Sequence, residues 1–328
     1  MPKVAIFVLL NRAMKGTVYK STGSWYTVKA ENGTFYECRI KGKFRISGIK
    51  NTNPISVGDH VYFKTETKGD ETVGIIYEID ARDNYIIRKS VNLAKQTQII
   101  AANIDVAFLI VTLNNPVTFT SFIDRFLVTA EAYSIKAVLL FNKVDTYNKE
   151  ELAEIKSLVS LYRDIGYECV TISAKTGKNI EEVKALMKQK VCMFSGHSGV
   201  GKSTLVNALE PGLNLKTSEI SEQHQQGQHT TTFAEMYDLS FDSQIIDTPG
   251  IKGFGVVEMD EEELGDYFPE FFRLKQDCKF NNCLHIEEPK CAVKEALEKE
   301  EIGWSRYKSY LQMLEGEEEH YRKDNYSN

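Results

Sequence analysis

Gly196-His197-Ser198-Gly199-Val200-Gly201-Lys202-Ser203 has the spacing G-x-x-x-x-G-K-[ST], and phosphate binding is the chemistry that this spacing serves. It follows an apolar run at 191–195 and opens a helical stretch at 202–209, the strand-to-helix setting that the motif requires. The N–H groups of Gly196, His197, Ser198, Gly199, Val200 and Gly201 can surround phosphate oxygens, with Ser203 and Thr204 at the helix start. Lys202 reaches the β- and γ-phosphates, and the Ser203 hydroxyl can ligate Mg²⁺.

Base choice falls to another segment. Asn142-Lys143-Val144-Asp145 ends an apolar run and fits N-K-x-D. The Asp145 carboxylate can accept from N1–H and the 2-amino group of guanine; adenine lacks both donors and would leave a desolvated carboxylate unpaired. Ser173-Ala174-Lys175 fits the companion S-A-K, in which the Ala174 N–H would meet guanine O6. Asp247-Thr248-Pro249-Gly250 fits D-x-x-G, where Asp247 orients a Mg²⁺-bound water and the Gly250 N–H contacts the γ-phosphate. Between this motif and the phosphate loop lies Gln228-His229-Thr230-Thr231-Thr232, from which Thr231, or else Thr230, completes the Mg²⁺ shell.

The glutamine that commonly follows D-x-x-G is replaced by Ile251, which cannot orient water. His229 is the nearest polar candidate for that catalytic task, the alternative being a solvent-facing histidine. The expectation is slow intrinsic hydrolysis of GTP to GDP, stimulated by a partner that orders this loop. N-K-x-D and S-A-K precede the phosphate loop here, so the motif order is circularly permuted and the chain after D-x-x-G leads straight into a C-terminal segment. Nucleotide state is therefore expected to reach that segment through D-x-x-G.

Cys278, Cys283, His285 and Cys291 supply three thiolates and an imidazole within fourteen residues, the ligand set of a closed structural zinc site. Four protein ligands leave no position for a reacting water, so this metal serves folding. A chance cluster of reduced cysteines is the alternative. Cys38, Cys169 and Cys192 are scattered through strand-like contexts, so the pattern argues for metal ligation rather than disulfides.

The elements that must carry these residues follow from the apolar patterning. With 42% hydrophobic and 26% charged residues in 328, the chain has the composition of a globular protein of two or three domains. From 99 onwards strand runs alternate with helical stretches (106–111, 119–133, 137–141, 149–165, 169–173, 179–188, 191–195), which predicts a mostly parallel α/β sheet. Within 15–90, short β-rich runs at 17–19, 26–28, 35–40 and 61–64, separated by Gly, Asn and Pro turns, predict a small all-β barrel of the OB type. The domains expected are an N-terminal extension at 1–13, which is an arm or lies upstream of a true start at Met14, a barrel at 14–98, a permuted P-loop GTPase at 99–257, and a mostly helical zinc-binding domain at 258–328.

Residues 1–98 hold 16 Lys and Arg against 9 Asp and Glu, so this part carries +7 and the remainder −13. A basic segment on an acidic protein can attract a phosphate backbone at one face, and Lys41, Lys43, Arg45 and Lys50 beside Tyr36 and Phe44 are the cation and aromatic mixture that an RNA-binding barrel uses. A solvated barrel surface is the plainer reading. The apolar run at 4–10 is far shorter than the ~20 residues of a membrane span, so the chain is expected to be a cytoplasmic protein without a membrane partner. A monomer is the simplest expectation.

The permuted order, His229-Thr230-Thr231-Thr232, Asp247 to Gly250 with Phe254-Gly255 downstream, and Cys278 to Cys291 together resemble the ribosome small subunit-dependent GTPase A family, RsgA or YjeQ. Arg88 to Asn92, Ala101 to Asp105 and Asp124-Arg125 fit the same family, over roughly 14–315. The resemblance implies an OB-fold, a permuted GTPase and a zinc domain acting in late maturation of the 30S ribosomal subunit, with contacts to 16S rRNA and 30S-stimulated hydrolysis. It puts the switch histidine on His229, the Mg²⁺-linked threonine on Thr231, and zinc on Cys278, Cys283, His285 and Cys291. Two other classes remain open: an RNA-binding adaptor that uses GTP only as a stabilising ligand, and a GTPase serving another assembly.

Overall fold

In the computed structural model, which describes residues 13–40, 54–68, 71–89, 97–213, 234–247 and 259–316, the N-terminal part forms five strands. They are β1 (Met14–Ser21), β2 (Tyr26–Ala30), β3 (Phe35–Ile40), β4 (His60–Lys68) and β5 (Glu71–Ile79). Alternation of apolar and polar residues buries every second side chain of β2. The order β1-β2-β3-β5-β4 closes because β4 also pairs with β1. Closure satisfies the strand edges and encloses Val18, Tyr26, Val28, Cys38, Phe63 and Ile76. The expected small barrel is thus present, and it has a fifth strand, β5, beyond the four runs read from the sequence. Tyr36 packs near Phe63, while Lys41, Lys43, Phe44, Arg45 and Lys50 lie outside the described residues, as does the 1–12 segment. A separate antiparallel pair follows, β6 (Tyr85–Lys89) with β7 (Thr97–Ala102).

Next come β8 (Val106–Val111), α1 (Thr120–Ala132), β9 (Lys136–Phe141), α2 (Lys149–Ile165), β10 (Glu168–Thr171), α3 (Ile180–Met187), β11 (Val191–Ser195), α4 (Lys202–Leu209), β12 (Glu235–Leu239) and β13 (Ser243–Asp247). All of β8 is buried, as a strand in a helix-covered parallel sheet must be. Asn148 and Glu151 start α2 with a capping box, and Gly166, at φ 122°, ends it. Among the described residues no helix is long and apolar enough to cross a membrane.

The chain separates into two compact units. The first takes in the described residues of Met1–Ala107, Lys184–Phe194 and Leu209–Gly255. Here β11 runs parallel to β13, β13 antiparallel to β12, and β12 joins barrel strand β1 at Lys20 opposite Glu235. Side chains brace this junction: Tyr19 Oη donates to Asp238 Oδ1 (2.7 Å), and Lys20 meets Glu235 at 3.2 Å.

The second unit takes in the described residues of Phe108–Val183, Ser195–Ala208 and Val256–Asn328. Its strand order is β10-β9-β8, with β10 and β9 parallel. Four C-terminal helices, α5 (Glu261–Leu264), α6 (Pro269–Lys275), α7 (Ala292–Glu298) and α8 (Trp304–Leu314), complete it. Phe268, Phe271, Val293, Ile302, Tyr307 and Tyr310 form their core together with Val128 of α1. Fully buried Arg306 of α8 crosses to α1, donating from Nη1 to Asp124 Oδ1 at 2.7 Å and from Nε to Glu270 Oε1 at 2.7 Å. Tyr162 Oη of α2 donates to the same Asp124 oxygen at 2.8 Å. The C-terminal helices are therefore tied to α1 and α2 by an internal charge network, a link that the motif order gave no reason to expect.

Candidate functional site

The phosphate loop runs from the end of β11 into α4, as its spacing demands. Gly201 sits at φ 100°, and a Cβ there would lie 2.5 Å from Asn142 Nδ2, so both the backbone turn and the approach of Asn142 need glycine. Lys202 folds back on the loop, donating from Nζ to the carbonyls of Gly196 (2.6 Å) and His197 (2.7 Å). Burial lowers its pKa, the mark of a cation held in a site short of water. The His197 ring stacks on Phe122 of α1 with centroids 3.9 Å apart. Ser203 and Thr204 begin α4, Ser203 half-buried and Thr204 exposed.

The N-K-x-D and S-A-K segments are joined to this loop within the second unit. Asn142, buried at the end of β9, donates from Nδ2 to the Val200 carbonyl (2.8 Å) and accepts at Oδ1 from the Ala174 N–H (3.0 Å). One carboxamide thus binds the phosphate loop to S-A-K. The Ala174 N–H expected to meet guanine O6 is here engaged by Asn142. Lys143 donates from Nζ to the Gly199 carbonyl (2.7 Å), and burial lowers its pKa against the pull of Asp145. Ser173 Oγ donates to Asp145 Oδ1 at 2.6 Å, which orients the carboxylate while leaving Asp145 exposed. Lys175 is exposed. Of the sequence-predicted residues, Asn142 and Lys143 are bonded to the loop 196–203, Ala174 is bonded to Asn142, and Ser173 is bonded to Asp145. Asp247 ends β13, opposite Glu235 of β12. His229, Thr230, Thr231, Gly250 and Ile251 lie outside the described residues.

A second cluster lies between α6 and α7. The ligand atoms of Cys278, Cys283, His285 and Cys291 all lie within 4.8 Å of one another. His285 turns Nδ1 towards the Cys291 and Cys278 sulfurs, at 3.3 and 3.7 Å. Tyr307 Oη donates to the His285 carbonyl and Tyr310 Oη to that of Leu284, each at 2.7 Å, so α8 fixes the knuckle backbone. Burial pushes the Cys283 thiol up to about 12 and raises Cys291 as well. Thiolates in so dry a pocket need a cation, and a soft tetrahedral ion suits three sulfurs and one nitrogen. The residues fit a metal.

Sequence reading missed Arg306 and Tyr147. Arg306 carried a usable signal, since it falls in register with Tyr307 and Tyr310 on the buried face of α8. Tyr147 carried none, because its role depends on a segment more than thirty residues away.

The sequence model of the RsgA GTPase family matches residues 79–257, and that of the RsgA N-terminal domain matches 15–76. The chain is 72% identical over 313 residues to the small ribosomal subunit biogenesis GTPase RsgA of Christiangramia forsetii, covering 95% of this chain and 99% of the relative. Identity to the protein of that name from Flavobacterium johnsoniae is 66%, covering 95% and 96%. Among solved structures, YjeQ from Thermotoga maritima superposes with a TM-score of 0.76 at 35% identity, covering 93% of this chain and 98% of that one. YloQ, a circularly permuted GTPase, gives 0.74 at 30%, covering 94% and 96%.

Proposed function

The chain belongs to the RsgA GTPase family, and we propose that it hydrolyses GTP to GDP and phosphate in the late maturation of the 30S ribosomal subunit, whose binding stimulates turnover. The observation that carries this reading is the coupling of the N-K-x-D and S-A-K segments to the phosphate loop through Asn142 and Lys143. That coupling supports Asn142, Lys143, Asp145, Ser173, Ala174 and Lys175 as the guanine-reading set and Gly196 to Thr204 as the phosphate-binding set. Asp247, Gly250 and the Mg²⁺ ligands Ser203 and Thr231 complete the catalytic arrangement, with His229 orienting the attacking water. Mg²⁺ supplies charge neutralisation at the β- and γ-phosphates.

Cys278, Cys283, His285 and Cys291 hold one structural Zn²⁺, supported by the donor set and its burial. The domains are assigned as a barrel at 14–98 that contacts 16S rRNA, a GTPase at 99–257 and a zinc domain at 258–328, preceded by the extension at 1–13. A cytoplasmic place of action is in keeping with the small-subunit role named for its relatives, and the protein is read as a monomer.

The test is GTP turnover by the full chain alone, with 30S and with 50S subunits, repeated with His229→Ala. Stimulation by 30S alone is expected, and its loss in His229→Ala with nucleotide and 30S binding retained supports the histidine's role. Equal rates with and without 30S would refute the ribosomal reading.

A further inference from the structure

Residues 112–118, between β8 and α1, are cross-linked by hydrogen bonds that no nucleotide motif requires. Thr112 N–H donates to Thr118 Oγ1, the Thr118 N–H donates back to the Thr112 carbonyl, and Thr112 Oγ1 donates to the Pro116 carbonyl. This tight strap is bound outward at three successive residues. The Leu113 N–H donates to Tyr147 Oη at 2.9 Å, Asn114 Nδ2 donates to Glu151 Oε1 at 2.6 Å, and the Asn115 carbonyl accepts from Lys143 Nζ at 2.5 Å. Tyr147 is buried and donates its own hydrogen bond to the Asn142 carbonyl at 3.1 Å. Glu151 uses its other oxygen to close the capping box of α2.

The N-K-x-D turn is therefore gripped from two sides. Asn142 and Lys143 hold it to the phosphate loop; Tyr147, Lys143 and Glu151 hold it to the strap. The grip has work to do, because Lys143 sits at φ 66°, a conformation that a residue with a Cβ keeps only when its surroundings impose it. Two carbonyls from separate segments, those of Asn115 and Gly199, fix its ammonium.

We propose that Tyr147 is a positioning residue of the guanine site, which with the strap at 112–118 pre-aligns Lys143 and Asp145 for the base. The proposal rests on the GTP-binding reading above. Reading a 2-amino group demands that two carboxylate oxygens face two donors in one plane, so a slackened turn costs guanine more than hypoxanthine, which lacks that group. Tyr147→Phe keeps the ring and leaves the Leu113 N–H and the Asn142 carbonyl without their shared partner.

The experiment compares GDP and IDP binding to the full chain with its thermal midpoint, for wild type, Tyr147→Phe and Val159→Ala, the last a buried residue further along α2. Tyr147→Phe should lose about tenfold in GDP affinity, equivalent to ~1.4 kcal/mol, and less than about threefold for IDP. Val159→Ala should lower the midpoint while leaving both affinities as in wild type. Equal losses for GDP and IDP, or unchanged GDP affinity, would overturn the assignment. Should Tyr147→Phe fail to fold, Asn114→Ala decides by the same ratio: a shrunken GDP preference supports the strap and an unchanged one removes it. Wild type that binds no GDP would instead sink the GTPase reading.

Discussion

Replacing Arg306 by methionine keeps much of the side-chain volume and removes the charge that Asp124 and Glu270 share. In the native chain burial alone would lower the Arg306 pKa, but the two carboxylates reverse this and hold the guanidinium charged. Asp124 is itself pushed up by burial against the pull of Arg306. The substitution deletes charge-assisted bonds of 2.7, 2.7 and 3.2 Å and strands two buried carboxylates, of which only Asp124 is fully enclosed. Breaking a buried pair from one side costs ~3–5 kcal/mol. Tyr162 still donates to Asp124, and Glu270 retains slight exposure, so the lower end, ~3 kcal/mol, is expected. The sign with pH follows from burial. Without the cation, the burial that already raises the Asp124 pKa goes unopposed by Arg306, so its folded value rises further above the unfolded one. The stability held with Asp124 protonated is complete below its unfolded value and is lost as pH rises through its folded one, so the deficit against wild type should grow from pH 5 to 8. The assay is urea unfolding read by Trp304 fluorescence in a Trp25→Phe background, since these are the chain's two tryptophans and Trp304 lies on α8. Adding Glu270→Gln to Arg306→Met should recover part of the loss. A deficit below ~1 kcal/mol that is flat with pH would refute the reasoning.

Chelation of the metal, or Cys283→Ser, should unfold the segment around Cys278 to Cys291 and free Tyr307 and Tyr310, measured by loss of bound zinc and by a change in Trp304 emission. Because burial raises the Cys283 thiol to about 12, metal binding must displace its proton, and zinc affinity measured by competition should fall as pH is lowered from 8 to 6. Gly201→Ala forces a Cβ against Asn142 Nδ2 at a positive φ, so GDP affinity should fall at least about tenfold with little change in far-UV circular dichroism. Retained affinity would show that the loop can move away from Asn142.

The sequence by itself determined which residue types stand at the short spacings that phosphate cradling, guanine reading and tetrahedral metal binding use. Gly196 to Ser203, Asn142 to Asp145 and Cys278 to Cys291 each announce themselves within a few residues of chain. The α/β elements were equally legible, since an apolar run such as 106–111 and the Asn148–Glu151 capping box are local signals that tertiary packing did not override. What tertiary structure decided was which distant groups meet. Arg306 reaches Asp124 across 182 residues, Tyr147 meets Leu113 across 34, and Lys20 of the barrel faces Glu235 of β12. No local spacing encodes such pairs. They follow from chain folding that brings α8 onto α1, the 112–118 strap onto the N-K-x-D turn, and a barrel strand onto a sheet edge. The free energy of burying apolar faces selects those neighbours, and their polar groups are paired because leaving them unpaired in that interior would cost more.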